Sequence, residues 1–464
     1  MRQPLDEMAV APCGDSGWSH QFATLRARWA LASASVGAFA VLVIGAGLSY
    51  ATQLVIVRTV GADSFGVYAY VLAWVTLAAY MSTLGFHTSF VRLLPAYHAR
   101  SEWPLARGLA GCAYVVVASL GSGIAIAMFA GAVLLVGAQH PMALTFRIGV
   151  LAIPLIALQL VASAGARAFG GSVIALVPER IFRDGVALVI VAAAGWSQLW
   201  RPDATLAMAA MLGGCLVALA TAISAFRRLR PADFGRVRSA RALRDWFKPS
   251  IPLTVIMAAD NLMSRSGVLA LGLTGNTREA GVFAVAFSIA LLTALPRMAV
   301  ASIFAPAVSS LHACGDHAGL RALSARATVL SLFGTLLVAI PLVGVTSALL
   351  SWFGANFITG VPVVTILVAG QLFAAAAGPH QHLLTMTGHE RAGAAIFFAS
   401  AVGNFAACVM MINLFGIVGA ALAMTAATVA FNIATAVTVA RYLKLAPGLV
   451  IAITNMSKSP PNHS

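Results

Sequence analysis

Charge is what this sequence has least of. Asp, Glu, Lys and Arg together make up 9% of its 464 residues, against about 25% in an ordinary soluble protein. A chain so poor in charge cannot clothe a globule of its own size in solvated side chains, which excludes a water-soluble enzyme or a large cytosolic module. Acids are scarcer than bases, 14 against 29. Cysteine is sparse too: Cys13, Cys112, Cys215, Cys314 and Cys408 are odd in number, scattered and without CxxC spacing, so neither a disulfide framework nor a zinc site is expected. GxxxxGKS/T and HExxH are both missing, which leaves no motif for nucleotide binding or metal hydrolysis. No cofactor is expected, and the chain is not expected to be an enzyme.

What is present in excess is apolar surface: 60% hydrophobic residues and a mean hydropathy of +0.91. At roughly 20 residues per spanning helix there is room for about a dozen spans. Uncharged runs at 29–57, 64–91, 108–146, 148–166, 185–200 and 204–226 mark six of them. Two more lie at 249–273, interrupted by Asp260 and Arg265, and at 280–305, interrupted by Arg297. The run 327–389 as one helix would measure about 95 Å, three times the hydrocarbon core, so it must fold back. The break falls between Ser351 and Pro362, and a similar one between Asn413 and Gly416 divides 392–440.

The expected fold is therefore all-α integral membrane, with twelve transmembrane helices in two six-helix lobes at 29–226 and 250–440. Residues 227–249 carry Arg227, Arg228, Arg230, Arg236, Arg238, Arg241, Arg244 and Lys248 and read as a basic hinge loop between the lobes. Trp18, Phe22, Leu25 and Trp29 recur at helical spacing, so 1–28 reads as an amphipathic segment along the inner surface, and 441–464 as a tail. With both termini in the cytoplasm, Arg58, Arg147, Arg201 and Arg278 fall outside, Arg265 and Arg297 within spans, and the other 23 Lys and Arg inside. That bias orients the chain and explains its basic balance without a nucleic-acid partner. Arg167, Arg180 and Arg183 are counted here in a cytoplasmic loop between the fourth and fifth spans.

An internal repeat points the same way. Arg58-Thr-Val-Gly61-Ala-Asp-Ser-Phe-Gly66-Val-Tyr68 follows the first span, and Leu273-Thr-Gly275-Asn-Thr-Arg-Glu-Ala-Gly281-Val-Phe283 follows the seventh. Two glycines five or six residues apart, the second followed by Val and an aromatic, suit a tight turn between spans. Each copy follows the first helix of a six-helix half, so the pseudo-two-fold repeat is parallel, about an axis along the membrane normal.

The first copy, running on to Ser82-Thr-Leu-Gly-Phe86 and Arg92, resembles the polysaccharide-biosynthesis flippases (the Wzx type) of the multidrug/oligosaccharidyl-lipid/polysaccharide exporter superfamily. Asp260-Asn-Leu-Met263 and Gly275 to Ala286 resemble the second half of that family. The chain departs from it at Thr83, where an acid is frequent, and at Phe283, where tyrosine is usual. The resemblance implies two lobes around a central cavity that rock to pass an undecaprenyl-pyrophosphate-linked oligosaccharide outward across the bacterial inner membrane, for exopolysaccharide, capsule or O-antigen synthesis. A drug or cation antiporter of the same superfamily is the alternative, and a membrane glycan polymerase a more distant one. The expected partners are that lipid-linked substrate, membrane lipids and a coupling proton or sodium ion, with the protein a monomer.

Charge inside a span is costly, about 2.5–3.5 kcal/mol at the bilayer centre on insertion scales, so each such residue needs a cavity or a partner. Arg265 is the first candidate for the pyrophosphate, because a guanidinium keeps its charge and matches phosphate oxygens with a fork of donors; bracing the lobes is its other reading. Asp260, about 140° away around the helix, either takes the coupling ion or locks the lobe. Arg297 either joins the site or snorkels to the inner headgroups. Arg58 and Arg147 stand at outer span ends as a basic mouth or as headgroup contacts. Gln53 and Asn261, with Gln159, Gln371, Asn404 and Asn432, either touch sugar hydroxyls or join helices. His87, His380 and His382 read as polar helix positions and not as metal ligands. Cysteine labelling from each side of the membrane is expected to find 227–249 on the cytoplasmic face and every outer loop short; a long loop on the outer face would favour the polymerase.

Overall fold

A computed structural model describes residues 18–136, 141–171, 173–197, 202–235, 237–313, 317–387 and 390–443. Among these residues every regular element is a helix. In chain order they are α1 (Trp18–Val60), α2 (Ala62–Ser82), α3 (Phe86–Ala99), α4 (Trp103–Gly131), α5 (Pro141–Val150), α6 (Ala152–Ala168), α7 (Arg183–Ser197) and α8 (Ala204–Leu229). After the midpoint come α9 (Leu243–Leu273), α10 (Thr277–Leu291), α11 (Leu295–Ala313), α12 (His317–Ser351), α13 (Val361–Ala377), α14 (His380–Met386) and α15 (Glu390–Leu443). Nine stretches of the described residues are long and apolar enough to cross a membrane, which makes this a multi-pass membrane protein.

The boundaries have local causes. Asp203 caps α8, its carboxylate accepting from the Leu206 amide at 2.9 Å, and Arg227 and Arg228 sit in the last turn of α8 where the helix dipole favours cations. Gly61 and Gly275, the first glycines of the two sequence copies, adopt φ of 84° and 85°. These left-handed residues turn α1 into α2 and α9 into α10 at the same end of the bundle, the turn end below. α2 is packed on all sides: Val71, Ala73, Val75 and Ala79 are wholly buried, as expected of a helix apolar all round. It lies against α6 of its own half and against α9 and α10 of the other.

Where α2 meets α10, the second glycines of the repeat touch. A β-carbon on Gly281 would stand 2.9 Å from the Gly66 Cα, and one on Gly66 would run into the Thr277 carbonyl. Further along the same seam, α3 meets α9: Ser89 and Ser250 share a 2.7 Å hydrogen bond, and the Trp246 Nε1 donates to the Tyr97 hydroxyl at 3.1 Å.

Three boundaries differ from the sequence reading. α1 runs unbroken from Trp18, so the helix expected at the surface continues directly into the first span; residues 1–17 and 444–464 lie outside the described residues. α9 begins at Leu243, inside the basic stretch. That stretch is also tied down: Arg107 of α4 donates to the carbonyls of Gly235 and Val237 at 2.9 and 2.6 Å. The described backbone of this segment is thus partly satisfied by α4.

The break expected at Asn413–Gly416 is a single residue. α15 is helical on both sides of Gly416, whose φ of 57° and ψ of −139° lie outside any helix. A β-carbon there would meet nothing closer than the Glu279 carboxylate at 4.0 Å, so the constraint is conformational and not steric. Gly416→Ala is expected to lower stability by about 1–3 kcal/mol through backbone strain alone, read as a lower Tm of the purified protein. An unchanged Tm would mean that the break is not held by glycine.

Candidate functional site

The polar side chains at membrane depth form two groups. The first is built on a stretch that the sequence reading placed in a cytoplasmic loop. Pro178–Phe182 forms a widened helical turn leading into α7; the turn carries Glu179 and Arg180, and Arg183 and Asp184 open α7. Two glycines let this turn approach its neighbours: a β-carbon on Gly45 of α1 would lie 2.7 Å from the Arg180 Cβ, and one on Gly214 of α8 would collide with the Arg183 carbonyl. The Thr52 hydroxyl on α1 also lies 3.1 Å from the Asp184 carbonyl oxygen. Thr52 and Gly45 stand eight and fifteen residues before the end of α1, about 12 and 22 Å from the turn end by helical rise. Arg180, Arg183 and their acids therefore sit at the depth of a hydrocarbon core about 30 Å thick.

Within this group Arg183 Nε donates to Asp184 Oδ1 at 3.0 Å, and its Nη1 is 4.0 Å from Glu179 Oε1. The Nε atoms of Arg180 and Arg167 are buried with no protein partner. His87, whose Nδ1 is 2.9 Å from the Thr83 hydroxyl, and Arg167 are electrostatic neighbours of Glu179. Arg265 faces this group from α9, with Arg183, Arg180, Tyr80 and Tyr68 as its electrostatic neighbours. It is half-buried and has no hydrogen bond or ion pair among the described residues. Arg167, Arg180 and Arg183 are grouped with Glu179 and Asp184, and Arg265 from the other half of the chain neighbours Arg180 and Arg183, four cations against two anions among the described residues.

The second group lies wholly in the later half. Asp260 is exposed and has Arg297 as its charged neighbour. Arg297 Nη2 donates to Gln371 Oε1 at 3.2 Å, its Nε is buried without a protein partner, and His382 lies in its field. The guanidinium of Arg297 is thus engaged by a residue 74 positions away. Asn261 is half-buried with a buried Oδ1 that no protein donor reaches. Asp260 and Arg265 face different surroundings, Arg297 and Arg183 respectively.

The remaining candidates are elsewhere. Gln53 Nε2 donates across the halves to Ser288 Oγ at 3.3 Å. Arg58 is exposed at the turn end and donates from Nε to the Trp352 carbonyl at 3.0 Å. Arg147 lies over the Phe129 ring at 5.9 Å. Arg58 and Arg147 share no partner among the described residues. Asn404 and Asn432 donate to the Met263 and Thr428 carbonyls, and among the described residues no three His, Cys, Asp or Glu converge as metal ligands.

The sequence did carry a signal for the missed arginines. The apolar run 185–200 is sixteen residues, about 24 Å of helix, too short to span a core of about 30 Å. The charged turn before it must complete the crossing.

Solved structures share this architecture. An inward-facing multidrug resistance MATE family transporter of the MOP superfamily is 12% identical, with 89% of this chain and 96% of that one covered and a TM-score of 0.69. A MOP superfamily transporter from Pyrococcus furiosus, described as having a binding pocket of reverse polarity, is 13% identical over 89% of this chain and 95% of its own, at 0.66. The lipid II flippase MurJ in an inward closed conformation is 11% identical over 91% and 93%, at 0.62. No curated protein matches the sequence. The family model described as "Polysaccharide biosynthesis protein" matches residues 36–312, more than half of the chain. With that match, the chain belongs to the polysaccharide biosynthesis protein family.

Proposed function

We propose that this protein flips lipid-linked oligosaccharides, carrying undecaprenyl-pyrophosphate-linked repeat units across the bacterial inner membrane by alternating access. The observation that carries the reading is the cluster of four arginines against two carboxylates at membrane depth. Removing guanidinium groups from water is costly, and Glu179 and Asp184 offset only part of their charge. The excess of two positive charges suits a disubstituted pyrophosphate, which carries two negative ones. Arg265 has no protein partner to give up, and the 4.0 Å spacing of Arg183 and Glu179 leaves that pair loose enough to exchange a carboxylate for a phosphate oxygen. Charge-assisted, forked hydrogen bonds of this kind are the stronger ones available to a protein.

In this reading the chain crosses twelve times, in lobes at 29–226 and 250–440. α7 with its charged turn, and α9, add two crossings to the nine apolar stretches, and the break at Gly416 divides 391–442 into two. The termini lie in the cytoplasm and the turn end faces the periplasm, as the excess of basic residues in the opposite loops favours. The protein does no covalent chemistry. Asn261, Gln371 and Arg297 are the candidates for contact with the sugar groups. Asp260 remains the candidate for a coupling proton or sodium ion, with Arg297 as the cation that such an ion would compete with. A cation antiporter needs an excess of acid in the site, and here the excess is basic.

Arg265→Ala in purified protein reconstituted into liposomes is expected to cut translocation of a polyprenyl-pyrophosphate glycan roughly tenfold or more, the loss of one charged hydrogen-bonding partner. Arg265→Lys should retain part of the rate because the charge remains. Wild-type rates in the alanine variant would remove Arg265 from the mechanism, and no glycan transport by the wild type would remove the function.

A further inference from the structure

The two copies of the glycine-turn motif touch at equivalent positions. Counting from the second glycine of each, Asp63 stands three residues before Gly66, and Arg278 three residues before Gly281. The glycines abut, the Gly66 Cα lying 2.9 Å from where a β-carbon on Gly281 would be. A residue that meets its own counterpart lies on the local two-fold axis of the repeat. Residues one turn away are then carried to opposite sides of that axis, facing each other. Had both copies kept the same charge there, like would oppose like. Instead Arg278 Nε donates to Asp63 Oδ1 at 2.6 Å and its Nη2 to Asp63 Oδ2 at 2.7 Å, a two-pronged fork across the junction of α2 and α10.

The fork stands on top of a seal. Phe65 of α2 packs against Phe357, the Tyr50 hydroxyl donates to the Leu349 carbonyl at 3.0 Å, and Arg58 donates to the Trp352 carbonyl. Each of these contacts joins the two halves at the turn end. Unlike the packed rings beneath it, the fork is open to water, with side chains 55% and 69% exposed. It can therefore exchange its partners for solvent at little cost and re-form.

We propose that Asp63 and Arg278 are a gating latch: they hold the turn end closed while the arginine site opens toward the other end, and they part each time the turn end opens. The latch rests on the alternating-access reading above, with Gly66 and Gly281 as the contact about which the halves separate. An exposed ion pair is weakened by salt, so opening of the turn end should respond to ionic strength through this pair.

The test uses full-length protein in which the five native cysteines are replaced by alanine and Ser264→Cys serves as a reporter beside the central site. Labelling by a membrane-impermeant maleimide is timed from each side of proteoliposomes. Asp63→Asn is expected to speed labelling from the turn end roughly two- to fivefold, the scale of an exposed pair, and to slow it from the other end. Raising NaCl should speed the wild type toward the Asp63→Asn rate and leave that variant unchanged. Exchanging the charges, Asp63→Arg with Arg278→Asp, should return the rate to that of the wild type. Labelling from the opposite end shows that a variant is folded. Equal rates for wild type and Asp63→Asn at low and high salt would overturn the latch; this readout involves no glycan, so it is separate from any failure of the substrate assignment.

Discussion

Everything in this structure answers to the cost of keeping guanidinium groups at the depth of a hydrocarbon layer. Translocation scales place that cost at about 2.5–3.5 kcal/mol for each arginine at a span centre. Four arginines converge here, and only two carboxylates accompany them. The chain meets part of the cost within the protein: the glycines at 45 and 214 bring the charged turn of Pro178–Phe182 close to α1 and α8, and Asp184 holds Arg183 at 3.0 Å. In the proposed function, the unmet part is what would give the site its affinity for an anion. A fully neutralised cluster would be easier to bury and would have no use for a diphosphate.

Alternating access, as proposed above, would further require that the site be assembled from both halves and yet accessible from one side at a time. Arg265 on α9 has Arg183 and Arg180 as electrostatic neighbours, so in that reading motion of one half relative to the other would change how many cations surround the substrate. Small residues make that motion feasible. Gly66 and Gly281 let α2 and α10 touch with no side chain between them, while Ser89 and Ser250 join α3 to α9 further along the same seam. A contact between flat backbones can tilt with fewer interlocking side chains to disengage than a ridge-and-groove packing of Leu and Phe.

Much of this was legible in the residues themselves. The paucity of charge and the uncharged runs implied a bundle of spanning helices, and the Gly61 and Gly275 turns lie where the repeat put them, both with positive φ. The residues quoted for the family resemblance lie within or near the stretch that the family model matches. Charge used as a marker of loops led elsewhere: Glu179, Arg180, Arg183 and Asp184 were read as outside the membrane because charges usually are, although the short run after them required the helix to include them. The contact between Arg297 and Gln371 is not legible in the sequence, because the two are far apart along the chain and local pattern says nothing about such a contact. The sequence sets Arg58 and Arg147 at outer span ends, but height along the membrane normal does not fix which helix a side chain faces. Positions along a helix follow from counting; neighbours across the bundle come only from packing.

Preference for a diphosphate is the central claim, and equilibrium binding tests it most directly. Purified protein in detergent at low salt can be titrated with undecaprenyl pyrophosphate and, separately, with undecaprenyl monophosphate, which has the same tail and fewer phosphate oxygens. The account predicts binding of the diphosphate at least about tenfold tighter, a difference of roughly 1.4 kcal/mol, and loss of most of that preference when Arg180 and Arg265 are both replaced by Gln. Equal affinity for the two lipids, or an undiminished preference in the double variant, would contradict it.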